Sequence, residues 1–191
     1  MNQELLKYPR LVRIDYQVRT SAFAALCVAI GMHMSGQVHG ATVWIALVLQ
    51  FLVYPHLLFW RARKAENSMQ AERTNLTLDS LLLGVWAAAL EFPIWIGFTL
   101  FLGSTLSNAI NGGVRGALTA LLAFSGGALA WVLFAGFRFS PHTTVPVTVL
   151  CMVGLATYVT GVGAITFVQN RKLRNTRQAL RQSELLLRTT I

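Results

Sequence analysis

The stretch "TNLTLDSLLLGVW", residues 74–86, has the composition of a membrane-spanning helix with one charge inside it. From Leu76 onward most side chains are apolar, and the apolar run continues through three alanines to Leu90. A carboxylate within hydrocarbon costs free energy unless a hydrogen-bond donor or a counter-charge meets it. The stretch therefore predicts a transmembrane segment in which Asp79 needs a partner.

The composition of the whole chain predicts a polytopic membrane protein. Of its 191 residues, 54% are hydrophobic and only 12% are charged, whereas soluble domains carry about 25% charged residues. The mean hydropathy of +0.55 agrees with this interpretation. The net charge of +9 falls in blocks between apolar runs, which is typical of membrane topology, so we expect no nucleic-acid partner.

Six apolar runs predict the fold class, an all-α membrane protein with a bundle of six transmembrane helices. A helix needs about 20 residues to cross the hydrocarbon core, and helices satisfy their backbone groups internally. The predicted spans are residues 20–35, 41–60, 75–90, 93–110, 116–137 and 144–168.

The basic residues predict the orientation of these spans. With the N-terminus in the cytoplasm, every basic residue except Arg138 lies on the cytoplasmic side, out of 16 in total. The positive-inside rule then predicts a multi-pass protein of the bacterial inner membrane with both termini cytoplasmic. The predicted domains are an N-terminal cytoplasmic or interfacial segment, 1–19, a membrane domain, 20–168, and a cytoplasmic signalling helix, 169–191.

A heptad pattern in the C-terminal tail predicts dimerisation. Leu173, Leu180 and Leu187 recur every seven residues, as one position of a coiled-coil seam does. Gly154 and Gly161 have the same spacing on the sixth span, where small residues let helices approach in lipid. The pattern favours a parallel homodimer along span six that leads to an output domain past residue 191. A solvated single helix is the alternative.

The residues between spans two and four resemble those of the second membrane-associated sensor (MASE-type) domain of bacterial cyclases. The resemblance rests on Pro55, His56, Leu57, Glu72, Asn75, Leu76, Asp79, Gly84, Trp86 and Pro93. It implies a six-helix membrane anchor at the N-terminus of a diguanylate cyclase or a class III adenylate cyclase. Such anchors are thought to sense a signal and to set the pairing of the catalytic domains, and they hold no catalytic residue themselves.

The function that we expect from the resemblance is a sensory and dimerising membrane domain that regulates a cytoplasmic cyclase. Expected partners are a second copy of the chain, a membrane lipid or hydrophobic ligand, and a cyclase in the same chain, preceded in some cases by a PAS domain. No cofactor or metal is expected. A small transporter or channel is the alternative, and a bare anchor that only enforces dimerisation is a third possibility.

Two intramembrane polar residues suggest a contact between spans two and three. His56 and Asp79 each lie about five residues from the cytoplasmic end of their span, at a depth of roughly 7 Å. We therefore predict a polar clamp between them, the alternative being that each finds water or backbone separately. Glu72 and Asn75 come just before span three, where they could cap its N-terminus.

Two further features concern the ends and the regularity of the spans. Pro55 removes a backbone donor within span two, and a kink there would free a carbonyl one turn earlier for another donor. Glu91 and Arg138 both fall at the outer rim and could pair, although an exposed pair would contribute little to stability.

Overall fold

The computed structural model describes residues 10–37 and 40–189. The helices are α1 (Arg10–Ser35), α2 (Ala41–Val48), α3 (Tyr54–Lys64), α4 (Ser68–Ala89), α5 (Ile94–Ala135) and α6 (Val145–Thr189). A π-helical turn, Leu49–Val53, joins α2 to α3. Because these two ranges contain no strand, the predicted all-α fold class is confirmed for the described part of the chain.

Four helical segments are long and apolar enough to cross a membrane, so the chain is a multi-pass membrane protein. They are Arg13–Ser35, Ala41–Lys64, Ile94–Ala135 and Val145–Gln178. Helix α4, which covers the predicted third span, is not among them, because Glu72, Arg73 and Asp79 interrupt its apolar run. The predicted count of six spans therefore stays a prediction.

The predicted fourth and fifth spans both lie within α5, which is broken at Gly113. This glycine has φ +61° and ψ −149°. Residues that carry a Cβ rarely adopt this backbone conformation. A Cβ added at Gly116 would meet the carbonyl oxygen of Asn108, whereas eight residues of continuous helix span about 12 Å. The chain therefore turns back at Gly113, and α5 consists of a first arm, 94–112, and a second arm, 114–135.

The first arm of α5 is held to α4 by a buried amide. The Nδ2 of Asn108 lies 3.1 Å from the Leu76 carbonyl oxygen and 3.1 Å from the Ser80 Oγ, both in α4. Asn108 and Ser80 are both buried. Because no water competes in an apolar bundle, such a bond between helices fixes their relative position.

The second arm approaches α4 so closely that only glycine fits at the contact. A Cβ on Gly84 of α4 would meet the carbonyl oxygen of Phe124, and a Cβ on Gly127 would meet the carbonyl oxygen of Leu81. Helices in lipid commonly pack backbone against backbone through small residues in this way. Both arms of α5 thus cover α4.

An aromatic row joins three helices in the core. Phe51, in the π-helical turn, has a ring centroid 5.4 Å from that of Phe23 in α1 and 5.5 Å from that of Trp86 in α4. The first pair is tilted and the second is edge-on, and aromatic pairs at these distances stabilise a core beyond the area that they bury. The same core holds Ile30, Met34, Leu47, Leu83, Ile96, Leu100 and Val147.

The chain divides into two compact units, Met1–Leu155 and Ala156–Ile191. The second unit consists of the greater part of α6, in which Leu173 is exposed. The side chains of Leu180 and Leu187 lie outside the described residues. The predicted domain boundaries after residues 19 and 168 both fall inside continuous helices, α1 and α6, and they stay predictions.

We predict that Gly127→Ala destabilises the protein, because the new Cβ would clash with a backbone carbonyl that cannot rotate away. The expected loss of unfolding free energy is about 1–3 kcal/mol, measured by denaturant titration in detergent micelles. Its neighbour Gly126 is the matched control, since a Cβ there meets nothing within 4 Å. Gly126→Ala should be neutral or slightly stabilising. Equal losses for both variants would contradict the close approach of the second arm to α4.

Candidate functional site

Arg19 connects α1 to α4 through two ion pairs. Its Nε donates to the Oδ2 of Asp79 at 2.8 Å, and its Nη2 donates to the Oε1 of Glu72. The side chain of Arg19 is only 4% exposed, and those of its two partners are equally well buried. Glu72 and Asp79 are seven residues apart, so they share one face of α4, two turns from each other. One guanidinium therefore spans two turns of the neighbouring helix.

Asn75 extends this connection to α3. It lies between Glu72 and Asp79 on the same face of α4 and is fully buried. Its Nδ2 lies 3.2 Å from the Oε2 of Glu72 and 3.2 Å from the carbonyl oxygen of Leu58 in α3. The face of α4 that holds Arg19 thus also holds the backbone of α3.

Two further side chains complete the site. Asp15 lies one turn before Arg19 on α1 and interacts electrostatically with Arg19 and Glu72. Tyr54, the first residue of α3, lies near Asp79. The Arg19 cluster is the name that we give to the six residues Asp15, Arg19, Tyr54, Glu72, Asn75 and Asp79.

The Arg19 cluster is rich in buried polar atoms that lack a hydrogen bond. Within the described residues, five of its atoms have no hydrogen-bond partner of ordinary length and angle, and all are buried. They are Asp15 Oδ2, Arg19 Nη1, Tyr54 Oη, Asn75 Oδ1 and Asp79 Oδ1. The Tyr54 hydroxyl approaches the Asp79 carboxylate without reaching such a bond. The cluster therefore has unused capacity both to donate and to accept.

The predicted clamp between His56 and Asp79 is wrong. Asp79 pairs with Arg19, while the Nδ1 of His56 lies 2.8 Å from the hydroxyl of Tyr16. His56 points to an exposed face of α3, where the Tyr16 ring also stacks on Phe59. A guanidinium supplies both the donor and the counter-charge that a buried carboxylate needs, which a neutral imidazole does not.

The predicted capping role of Glu72 and Asn75 is also wrong, because α4 begins at Ser68, earlier than the sequence indicates. The residue at its N-cap is Asn67, whose Oδ1 accepts a hydrogen bond from the Gln70 backbone nitrogen at 3.0 Å. Glu72 and Asn75 consequently lie inside the helix, where they face α1 and α3 rather than its end.

The other predicted residues take structural positions. Trp86 lies in the core, and Pro93 is the buried residue from which α5 starts. Pro55 is the second residue of α3, two residues after the π-helical turn, so span two is irregular next to Pro55, and a kink at Pro55 itself stays a prediction. Leu57 is exposed.

The predicted pair at the outer rim is confirmed. The Nη1 of Arg138 lies 3.7 Å from the Oε1 of Glu91. The side chain of Arg138 is 75% exposed and that of Glu91 is 39% exposed. At that exposure and distance the pair contributes little to stability. It therefore serves as an exposed ion pair against which the buried ion pairs of Arg19 can be compared.

Sequence reasoning missed Arg19 and Tyr54 as members of the site. Arg19 was assigned to the cytoplasmic segment 1–19, although it lies well within α1. The helical periodicity of α1 could have placed Arg19 in the bundle. The buried residues Ile30 and Phe23 lie on one face of the helix. Steps of four residues back from Phe23 along that face reach Arg19 and then Asp15.

Comparison with known families identifies the region that holds this site. Residues 14–102 match the MASE2 domain family, which confirms the resemblance predicted from the sequence. The match covers a little under half of the chain, from α1 into the first arm of α5, and it includes the whole Arg19 cluster. No curated protein and no solved structure matches the chain.

We predict that Arg19→Met strongly destabilises the protein, because it removes the counter-charge and the hydrogen-bond donors of the buried carboxyl groups of Glu72 and Asp79. The expected loss of unfolding free energy is about 3–5 kcal/mol, measured in detergent micelles. Arg138→Met removes a guanidinium of the exposed pair and should cost less than about 1 kcal/mol. If the two variants lost equal stability, the Arg19 cluster would not hold α1 to α4.

Proposed function

We propose that this chain, whose residues 14–102 belong to the MASE2 family of membrane-associated sensor domains found in cyclase-type signalling proteins, is the membrane sensory and dimerising module of a nucleotide cyclase. The output is a cytoplasmic diguanylate cyclase or, as the less favoured choice, a class III adenylate cyclase. The module resides in the bacterial inner membrane with both termini in the cytoplasm. The match to MASE2 is the observation that carries this proposal.

The length of α6 supports a role in transmission. The helix runs from Val145 to Thr189, 45 residues, of which about 20 suffice to cross the hydrocarbon core. A continuous helix can therefore carry a rotation or a shift from the membrane to a domain outside it, directly or through a PAS domain.

The Arg19 cluster holds α1, α3 and α4 in one packing arrangement, and a signal could change that arrangement. It joins α1, α3 and α4 through charged and polar contacts that have few alternative geometries. A bilayer property or a hydrophobic ligand acts as a signal only if it stabilises one packing more than another. A cyclase that joins two nucleotides held on two subunits is then controlled through the geometry of the dimer.

The dimer that we propose is a parallel pair of α6 helices. A Cβ added at Gly154 or at Gly161 would meet nothing within 4 Å, so both positions are open in a single chain. Leu173, the first leucine of the repeat Leu173, Leu180 and Leu187, is exposed. Leu180 and Leu187 continue the repeat towards the output domain.

Replacing Gly154 and Gly161 together by leucine should weaken this dimer, because the larger side chains hold the two α6 backbones apart. We expect the dissociation constant in detergent to rise about tenfold or more, which corresponds to ~1.4 kcal/mol. Gly97→Leu on α5 is the control, since Gly97 is equally open. An unchanged dimer fraction in the double variant would place the interface elsewhere.

A domain exchange separates a sensor from a bare anchor. In the full-length protein, residues 1–168 are replaced by a soluble constitutive coiled-coil dimeriser, and cyclic nucleotide production is measured as lipid composition is varied. We expect the exchange to keep basal activity and to abolish the response to the membrane. A chimera that keeps normal regulation would reduce the membrane domain to an anchor.

The family match does not favour the transporter or channel alternative. Ion or solute flux into proteoliposomes containing the purified chain is the measurement that would restore it.

A further inference from the structure

The charges of the Arg19 cluster do not balance. Three carboxylates, those of Asp15, Glu72 and Asp79, surround the single guanidinium of Arg19. If all four groups were ionised, the cluster would hold two negative charges in excess within the bundle. An uncompensated charge of this kind is far too costly to bury, so the cluster requires further positive charge.

The unpaired atoms show where this charge is needed. The Oδ2 of Asp79 accepts from Arg19, while its Oδ1 is buried and without a hydrogen bond. The side chain of Asp79 is only 6% exposed. The Tyr54 hydroxyl of α3 approaches the same carboxylate. A proton on Oδ1 would neutralise Asp79 and convert two orphaned atoms into a donor and an acceptor.

We propose that the Arg19 cluster is a proton-binding site in which Asp79 takes up one proton on Oδ1. The proton adds to a carboxylate lone pair, so Asp79 becomes a neutral acid that donates to the Tyr54 hydroxyl oxygen and still accepts from Arg19. Arg19 and Glu72 then remain as an ion pair, and the excess negative charge of the cluster falls from two to one, which lies on the half-buried Asp15. The occupied site holds α1, α3 and α4 together, and loss of the proton restores the second excess negative charge, which loosens their packing.

Every helix packed around Asp79 contributes to its charge environment. Arg19 of α1 attracts the ionised form, and Glu72, on the same helix, repels it. Asp15 of α1 adds a further negative charge near Glu72, while the side chain on α5 that contacts Asp15 is the neutral amide of Asn111. Arg61 of α3 acts on Tyr54 but is exposed. The buried groups thus favour proton uptake at the centre of the cluster.

The inference that this proton reaches a cyclase rests on the proposed sensory function, whereas proton binding rests on the geometry alone. Proton binding is therefore tested on the purified 191-residue chain without any cyclase. A failure of this test leaves the proposed function standing, and a failure of the domain exchange leaves the proton site standing.

The first measurement is equilibrium unfolding of the wild-type chain in detergent micelles across a range of pH. Because the folded state holds a proton that the unfolded state releases, stability should fall as the pH rises. The unfolding equilibrium constant should increase about tenfold per pH unit where the unfolded state has lost the proton and the folded state still holds it, and it should level off once the folded site is empty. Asp79→Asn imitates the neutral acid, so its stability should lack this dependence. Glu91→Gln, at the exposed rim, should keep it.

The second measurement is infrared difference spectroscopy between low and high pH. The carbonyl band of a protonated carboxylic acid should disappear at high pH in the wild type and be missing from Asp79→Asn. Tyr54→Phe removes a hydroxyl that donates more strongly to the ionised carboxylate than it accepts from the neutral acid, so its transition should shift to higher pH, which tests the site even if Asp79→Asn folds poorly.

Three outcomes would overturn the proposal. The first is a full pH dependence of stability in Asp79→Asn, and the second is an unchanged transition in Tyr54→Phe. The third is a wild-type response to sodium or potassium chloride at constant pH that Asp79→Asn lacks, because it would identify a metal cation as the occupant.

Discussion

A guanidinium buried in an apolar bundle must be neutralised, and the way in which Arg19 achieves this determines the arrangement of the helices around it. Its two carboxylate partners lie on α4, so they restrict both the position and the rotation of α1 beside that helix. Asn75 then uses the same face to hold the backbone of α3. Three helices that the chain separates by up to 60 residues are fixed by one set of charged and polar contacts.

Helix α4 is too polar to face lipid alone, and the rest of the fold compensates for this. One face holds the carboxylates that meet Arg19, and Ser80 and Gly84 contact the two arms of α5. The turn at Gly113 lets one continuous stretch of chain cover α4 twice. Helix α4, which is the least compatible with lipid, is therefore covered by other helices.

The sequence predicts the helices well and their contacts poorly, for physical reasons. Apolar runs are required wherever a helix meets lipid, so the described helices follow the predicted runs, apart from α1 and α4, which begin earlier. The partner of Asp79 depends on which helices are neighbours, and local spacing does not encode that. His56 matched Asp79 in depth alone, whereas Arg19 was counted as a cytoplasmic charge because topology rules assign basic residues to the aqueous side.

The π-helical turn Leu49–Val53 has a consequence for how this protein can change over evolution. The turn holds one residue more than an α-helical turn, so the two halves of its span are offset in rotation by about 100°. Phe51 lies at the offset, against Phe23 and Trp86. Deleting one residue there would still leave a helix long enough for a bilayer, yet it would turn Tyr54 away from Asp79 and His56 away from Tyr16. Substitutions are thus easier to accommodate in this span than any change in its length.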